Sequence, residues 1–367
     1  MHISLVQNNL IKWFEQNARI LPWRIHPNWY KTFLSEIILQ QTTVDQGLPF
    51  FLKIHAAYPS IKKLALADEH DILKLWAGLG YYSRARNMLK AAKIIVDTFK
   101  GEFPQEMKTA LQLPGIGPYS AAAILSIAFK QPFAVLDGNV LRVLARFYNN
   151  PGDIRNNTVK KEFLILAQNL LPSEMPGVFN EALMELGAAV CTPAKPDCKH
   201  CPIKGDCRGL KAATVHHLPH KSPARKKQKQ FHLVMVYQYN DSYFIHRRPD
   251  KGLLAGMWEF PCHLTDKKGW EAGSLLTHLT QQSGAHLNVS PVLHQLYSHI
   301  DLTFKALLIP LSKKYLSQTD DLSVGRWITP GEFSDFPIHN AHKKVIHWLE
   351  SISALGLEVV SHQNRTI

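Results

Sequence analysis

Cys191, Cys198, Cys201 and Cys207 stand in a C-x6-C-x2-C-x5-C spacing that gathers four thiols into the 17 residues 191–207. Four soft thiolates so close in sequence can hold one metal centre. The wide first gap and tight second gap differ from the matched C-x2-C pairs of a zinc ribbon. The irregular spacing suits a [4Fe–4S] cluster, and a structural zinc ion stays open on spacing alone. Disulfides are disfavoured, because nothing else in the chain has a secreted character. Pro193, Pro196 and Pro202 stiffen the stretch, and Lys195, Lys199, Lys204 and Arg208 suit a loop lying near an anion. Cys262 lies far away and reads as a core thiol.

A second group of residues suggests how such an anion is held. Residues 111–123 read LQLPGIGPYSAAA, the pattern of a helix, a tight turn and a second helix. Gly115 and Gly117 permit positive φ and close approach of backbone to a ligand. Pro118 suits the first turn of the second helix. The exposed N–H groups and the positive helix end form an anion site that grips phosphate without reading sequence. An ordinary helix corner carries the same signature. Asp137 follows within Val135-Leu136-Asp137-Gly138-Asn139-Val140, either as a helix cap or as a functional charge. Glu36 sits in the apolar run EIILQQT, where burial raises a carboxyl pKa.

These residues need a scaffold, and the chain supplies enough for about two domains at 367 residues. Lys and Arg number 42 against 29 Asp and Glu, a formal charge of +13 that favours a polyanionic partner, nucleic acid first. The N-terminus lacks a basic region followed by an apolar one, so no signal peptide is expected. No apolar run reaches about 18 residues, so no membrane span is expected. Thiols free to ligate a metal fit a reducing, cytoplasmic compartment. Helical spacing of apolar residues recurs in Leu5–Phe14, Phe33–Leu39, Ile72–Leu79, Met88–Phe99, Ala121–Phe129 and Phe163–Leu171. The spacing predicts an all-α domain over 1–208 and, from its basic, apolar-poor composition, an exposed linker over 209–230. An α+β domain is expected over 231–360. There FHLVMVYQY and SYFIHRRP flank an Asn240-Asp241 turn, LTFKALLIPL and VGRWITP read as strands, and HNAHKKVIHWLESI closes as a helix.

The order hairpin, Asp, then C-x6-C-x2-C-x5-C resembles the endonuclease III superfamily of helix-hairpin-helix DNA glycosylases. Further motifs resemble its adenine DNA glycosylase (MutY) family. They are Leu21-Pro22-Trp23-Arg24, Ser35-Glu36-Ile37-Ile38-Leu39-Gln40-Gln41-Thr42, Gly78-Leu79-Gly80-Tyr81-Tyr82-Ser83-Arg84-Ala85-Arg86 and Asn180-Glu181-Ala182-Leu183-Met184-Glu185-Leu186-Gly187. The resemblance implies a base-excision repair enzyme with a [4Fe–4S] cluster on the four cysteines. Its expected partner is duplex DNA bearing adenine opposite 8-oxoguanine or guanine, bound by a monomer.

The same resemblance implies roles. Glu36 protonates the departing adenine and handles the water, and Asp137 stabilises the sugar cation. Tyr119 occupies the place of the lysine with which bifunctional relatives attack the sugar. A phenol forms no imine, so a monofunctional glycosylase is expected. Tyr119 and Asn139 are expected to hydrogen-bond to Asp137 or the sugar. Trp23, Arg24 and Glu181 resemble the pocket for the flipped base, although Trp23 also suits a core. Gln41, Leu79 and Tyr81 resemble the wedge that fills the vacated stack, and Arg84 and Arg86 are expected to meet phosphates. From Arg248 to Pro261 the chain resembles a Nudix domain. Gln281 and Gln282 stand where a Nudix hydrolase needs Mg²⁺-binding glutamates, so recognition rather than hydrolysis is implied. Tyr297-Ser298-His299 matches the loop that reads 8-oxoguanine in that family, with Tyr in place of Phe.

Overall fold

Each apolar run identified in the sequence lies in or overlaps a helix of the N-terminal part, and the caps explain where those helices begin. The computed structural model describes residues 2–223, 226–273, 288–314 and 325–354. Eleven helices come first: α1 Ile3–Asn17, α2 Trp29–Leu39, α3 Val44–Ala57, α4 Ile61–Ala65, α5 Glu69–Trp76, α6 Ser83–Phe99, α7 Met107–Ala110, α8 Pro118–Phe129, α9 Gly138–Tyr148, α10 Asn157–Leu170 and α11 Pro176–Ala189. The Asn28 side chain accepts from Lys31 N and starts α2, and Asp137 accepts from Val140 N and starts α9. Among the described residues no helix is long and apolar enough to cross a membrane.

The chain divides into two compact units, Met1–Ile72 with Arg84–Ala224, and Leu73–Ser83 with Arg225–Ile367. An uninterrupted 1–208 helical body is therefore corrected at one place. The α5–α6 junction belongs with the second unit, where Lys74 Nζ lies 3.0 Å from Asp335 Oδ1.

The first unit packs a core of Leu10, Val140, Leu144, Phe163, Phe179 and Leu186, all buried. Small residues set how closely its helices approach. A Cβ on Gly177 of α11 would collide with Ser126 O of α8, and one on Gly187 would lie 2.6 Å from Asn139 Cβ. The expected exposed linker over 209–230 is also corrected. Its first half is folded onto this unit: Val215 and Leu218 are buried, and α12 (Arg208–Lys211) packs against α9. Composition hid this because the anchoring contacts are to backbone carbonyls, which carry no sequence signal.

In the second unit β1 (Gln228–Tyr239) and β2 (Ser242–Arg247) turn at Asn240-Asp241, with Tyr239 opposite Ser242. The other strands are β3 Trp258–Glu259, β4 Cys262–Thr265, β5 Asn288–Val289, β6 Leu293–Leu296, β7 Ile300–Pro310 and β8 Gly325–Ile328. The sheet order is β3-β2-β1-β7-β5, with β4 added to β1, β6 to β7 and β8 to β2. β1 and β7 run parallel from Gln228↔Ile300 to Gln238↔Pro310. A short helix α13 (Lys267–Ala272) follows β4, and α14 (Asn340–Ala354) closes the unit by burying Val345 and Leu349 in the sheet core with Phe304 and Phe260. Cys262 lies on the short strand β4 and is exposed as a residue, while its thiol turns to the buried Phe260 O and His342 Nε2, each at 3.4 Å, and burial pushes its pKa up. Gln281 and Gln282 lie outside the described residues.

Candidate active site and cysteine centre

Glu36 is the eighth residue of α2, on a helix whose Phe33, Leu34, Ile37 and Ile38 are buried. Its carboxyl opens into a cavity of about 860 Å³ shared with Tyr119, Asp137, Glu181, Trp23 and Arg24. The cavity gathers side chains from α2, α8, α9, α11 and the segment after α1, all within the first unit. Burial pushes the Glu36 carboxyl up to about 7; the Tyr119 hydroxyl opposes this, and Asp137 and Glu181 add to it. Asp137 is also raised by burial, but Val140 N and Asn139 favour its anion. Val140 N donates to Asp137 Oδ1 at 2.7 Å and Asn139 Nδ2 to Oδ2 at 3.0 Å. Asp137 is thus both cap and site charge, and Asn139 holds it as the sequence predicts. The hydroxyl of Tyr119 takes a different partner from Asp137. It donates to Met184 Sδ at 3.3 Å and faces Glu36, whose charge helps raise its own pKa after burial.

The wall opposite is an acid–arginine array. Arg24 Nε donates to Glu181 Oε1 at 2.9 Å, and its Nη1 donates to Glu185 Oε2 at 3.1 Å. Arg19 Nε reaches Glu185 Oε1 at 2.6 Å. Glu185 and Arg19 escaped the sequence reading; the signal was the spacing of Glu181 and Glu185, one turn apart on α11. Trp23 is both core and wall: it is buried edge-on to Phe51 with centroids 5.0 Å apart, and it lines the cavity.

The hairpin between α7 and α8 has the form its sequence predicts, with one correction. Gly115 uses positive φ at +80°, but Gly117 is extended at φ −92°. A Cβ on Gly117 would meet nothing within 4 Å, so the glycine keeps the surface open rather than the backbone turned. Gln40 ties this hairpin to the end of α2, donating to Ser120 Oγ at 3.0 Å and to Gly115 O at 3.3 Å.

A helix-hairpin-helix, a buried acid and an N-capping aspartate around one cavity make comparison with known proteins specific. Residues 34–168 match the HhH-GPD superfamily of base excision DNA repair proteins, and residues 232–348 match a NUDIX domain. An adenine DNA glycosylase of Rattus norvegicus is 32% identical over 95% of this chain and 78% of its own length. The chain belongs to this family. The adenine DNA glycosylase of Homo sapiens is 31% identical over 94% of this chain and 73% of its own. Among solved structures, a thermostable thymine-DNA glycosylase aligns with a TM-score of 0.52 at 26% identity, over 57% of this chain and 97% of its own. The protein is a DNA glycosylase of the base-excision repair class, with a Nudix-like second unit.

Within this family frame, several residues sit elsewhere than the sequence suggested. Arg84 faces no phosphate. It is buried, and its guanidinium donates to Ile38 O at 2.7 Å, to Ile37 O at 3.3 Å and to Gln40 O. It caps the end of α2, and so holds the helix that carries Glu36. Arg86 Nε pairs with Glu69 Oε1 at 2.9 Å. Gln41 turns the chain after α2 at φ +57°. Leu79 and Tyr81 lie on the α5–α6 junction in the second unit, Tyr81 at φ +50° and exposed. Tyr297-Ser298-His299 forms the hairpin between β6 and β7, closed by Tyr297 N donating to Ile300 O at 2.8 Å. Ser298 and His299 are exposed, and Ser298 Oγ lies 3.0 Å from His299 Nδ1. The Tyr297 hydroxyl is buried without a hydrogen-bond partner.

The four cysteines converge as the spacing requires. Cys191, Cys198, Cys201 and Cys207 line one small pocket with Arg146 and Val215. Burial, with the other three thiols adding, pushes Cys201 up to about 12, and Cys198 and Cys207 are raised for the same first cause. Thiols that resist ionisation together are the donor set that a shared cation relieves, so the site fits a metal or cluster. Two arginines of α9 bind this loop. Arg142 Nε donates to Cys191 O at 2.7 Å while its Nη2 donates to Asn139 Oδ1 at 2.9 Å. Arg146 Nη1 donates to Cys191 Sγ at 3.3 Å and to Thr192 O at 2.8 Å.

Proposed function

We propose that the enzyme is monofunctional and hydrolyses adenine from duplex DNA when adenine is paired with 8-oxoguanine or guanine. The observation that carries this reading is the pairing of a carboxyl raised to about 7, Glu36, with Asp137, whose anion has two specific donors, on one cavity. The two acids divide the labour. Glu36 gives its proton to the departing base as the glycosidic bond breaks and the bonding pair leaves with adenine. The ionised Asp137 faces the cationic sugar. Water adds to the sugar carbon, and its proton returns to Glu36. Glu181, paired with Arg24, offers the base a polar edge, and Trp23 offers an apolar one.

Single function is supported by the lining of the cavity, where among the described residues no lysine appears and Tyr119 stands near Glu36. Recognition of 8-oxoguanine by the second unit is supported by the exposed Ser298-His299 hairpin tip and by neutral Gln281 and Gln282 in the sequence. We assign a [4Fe–4S] cluster to the four cysteines. Its contribution when bound is structural, ordering the loop that carries Lys195, Lys199 and Lys204. The test is product analysis. Free adenine and an intact abasic strand are expected, and borohydride should trap no covalent complex. A trapped Schiff base would overturn the monofunctional assignment.

A further inference from the structure

Arg24 stands between two glutamates of α11 and divides its donors between them unequally. Its Nη1 and Nη2 donate to Glu185 Oε2 at 3.1 and 3.2 Å, and only Nε donates to Glu181, reaching Oε1 at 2.9 Å. The guanidinium is seated by two further contacts. Nη1 donates to Arg19 O at 3.2 Å, and Cζ lies 5.0 Å from the centroid of the Phe14 ring. Glu185 is held just as firmly. Arg19 donates to it through Nε at 2.6 Å and Nη2 at 3.1 Å, and its side chain is 1% exposed. Burial works to raise the Glu185 pKa, but the Arg19 hydrogen bond and the charges of Arg24 and Arg19 bring it below the ordinary value. Glu181 is placed differently. Among the described residues no group donates to its Oε2, and its side chain, 18% exposed, lines the cavity.

We propose that Glu185 is a positioning residue: by occupying both η nitrogens of Arg24 it keeps Glu181 Oε2 free to accept from the exocyclic amino group of the base. The inference rests on the reading above that Glu181 meets the base. A guanidinium with no competing partner grips a carboxylate through two parallel N–H···O bonds. Without Glu185, Arg24 has the donors to close both oxygens of Glu181. The open oxygen discriminates between purines. Adenine carries an N–H₂ donor at the position where guanine carries a carbonyl oxygen, and a carboxylate oxygen attracts the first and repels the second. Glu36 and Asp137 stand on α2 and α9, outside this array. Closing Glu181 therefore costs selection of the base while leaving the acids that break the bond in place.

Single-turnover release at sub-saturating enzyme, which reads binding and chemistry together, tests this on two duplexes. One carries adenine opposite 8-oxoguanine, and the other carries unsubstituted purine, which lacks the amino group. The two bases differ in intrinsic lability, so the adenine:purine rate ratio is compared between enzymes. Glu185→Gln should lower that ratio about 10- to 100-fold, the worth of a hydrogen bond to a charged group, with purine release changed less than about three-fold. Glutamine leaves two arginines short of a buried anion, so Glu185→Asp is the second variant. It keeps the charge, draws the carboxylate back by about 1.5 Å, and should lower the ratio in the same direction. In a Glu181→Gln background neither substitution at Glu185 should lower the ratio further, because both act through one contact. Equal losses on adenine and purine, or a loss that adds in full to that of Glu181→Gln, would overturn the positioning role. Should Glu181→Gln lower the ratio while neither Glu185 variant does, this inference falls alone. Should Glu181→Gln itself leave the ratio at the wild-type value, Glu181 does not meet the amino group, and the base-edge reading falls together with the inference.

Discussion

Glu36→Gln separates two contributions that one residue makes in opposite directions. The carboxyl has an ordinary value of 4.5 and is held at about 7 in the folded protein. The folded state therefore binds this proton more tightly than the unfolded chain. Stability from this group is complete below about pH 4.5 and is lost as pH rises through about 7. Each tenfold in proton affinity is about 1.4 kcal/mol, so ionising the buried carboxyl costs roughly 3 kcal/mol of stability at pH 8. Glutamine carries no such charge. Urea unfolding at pH 8 should find the variant more stable by up to about 3 kcal/mol, and unfolding near pH 5 should find a gap of less than about 1 kcal/mol. Catalysis should move the other way. Loss of a positioned general acid lowers the rate by about 10²- to 10⁴-fold, read as single-turnover adenine release. The wild-type rate should fall as pH rises through about 7, and at low pH it should fall again as Asp137 takes up a proton, the two acids titrating as a coupled pair. Parallel stabilities at pH 5 and pH 8, or wild-type turnover by the variant, would refute the assignment of the raised pKa to Glu36.

Gly117→Ala adds a methyl where nothing lies within 4 Å and where φ is already negative. Its stability should change by less than about 0.5 kcal/mol or rise slightly, while DNA affinity in a binding titration drops several-fold. Asp137→Asn keeps a good N-cap for Val140 N, so unfolding should shift by less than about 1 kcal/mol. Its single-turnover rate should fall by at least about 10²-fold, because a preorganised charge facing the sugar is lost. Arg84→Met leaves the carbonyls of Ile37, Ile38 and Gln40 without their donor. A loss of roughly 3 kcal/mol is expected in urea unfolding of the DNA-free protein, whereas an arginine that served only phosphate would leave unfolding unchanged and alter the salt dependence of DNA binding.

The residues that could do chemistry were legible because their types are rare and their spacing short. Four cysteines in one window, an Asp beside Gly138 and Asn139, and a Glu in an apolar run needed no long-range information. The helices followed from period, and the Asn240-Asp241 hairpin from turn chemistry. What stayed hidden depends on pairs distant in sequence. Arg84 reads as a surface cation until the end of α2 is seen to need its guanidinium. Glu185 reads as an ordinary helical acid until Arg19 and Arg24 converge on it. Arg142 and Arg146 lie one turn apart on α9, yet most of their partners are main-chain oxygens, those of Gly187, Cys191, Thr192, Pro193 and Leu218, which no side-chain pattern announces. The basic stretch after Cys207 looks solvated by composition, while Val215 and Leu218 within it are buried. Local pattern also cannot assign Leu73–Ser83 to the second unit, because its contacts there skip the intervening chain.

The central claim is that this chain releases adenine from a damaged mispair by hydrolysis alone. Single-turnover cleavage on three duplexes tests it most directly, each assayed with and without alkali. They carry adenine opposite 8-oxoguanine, adenine opposite thymine, and thymine glycol opposite adenine. Strand breaks only on the first duplex, and only after alkali, are the predicted result. Breaks on the thymine glycol duplex without alkali would contradict the account and place the chemistry with a lyase acting on oxidised pyrimidines.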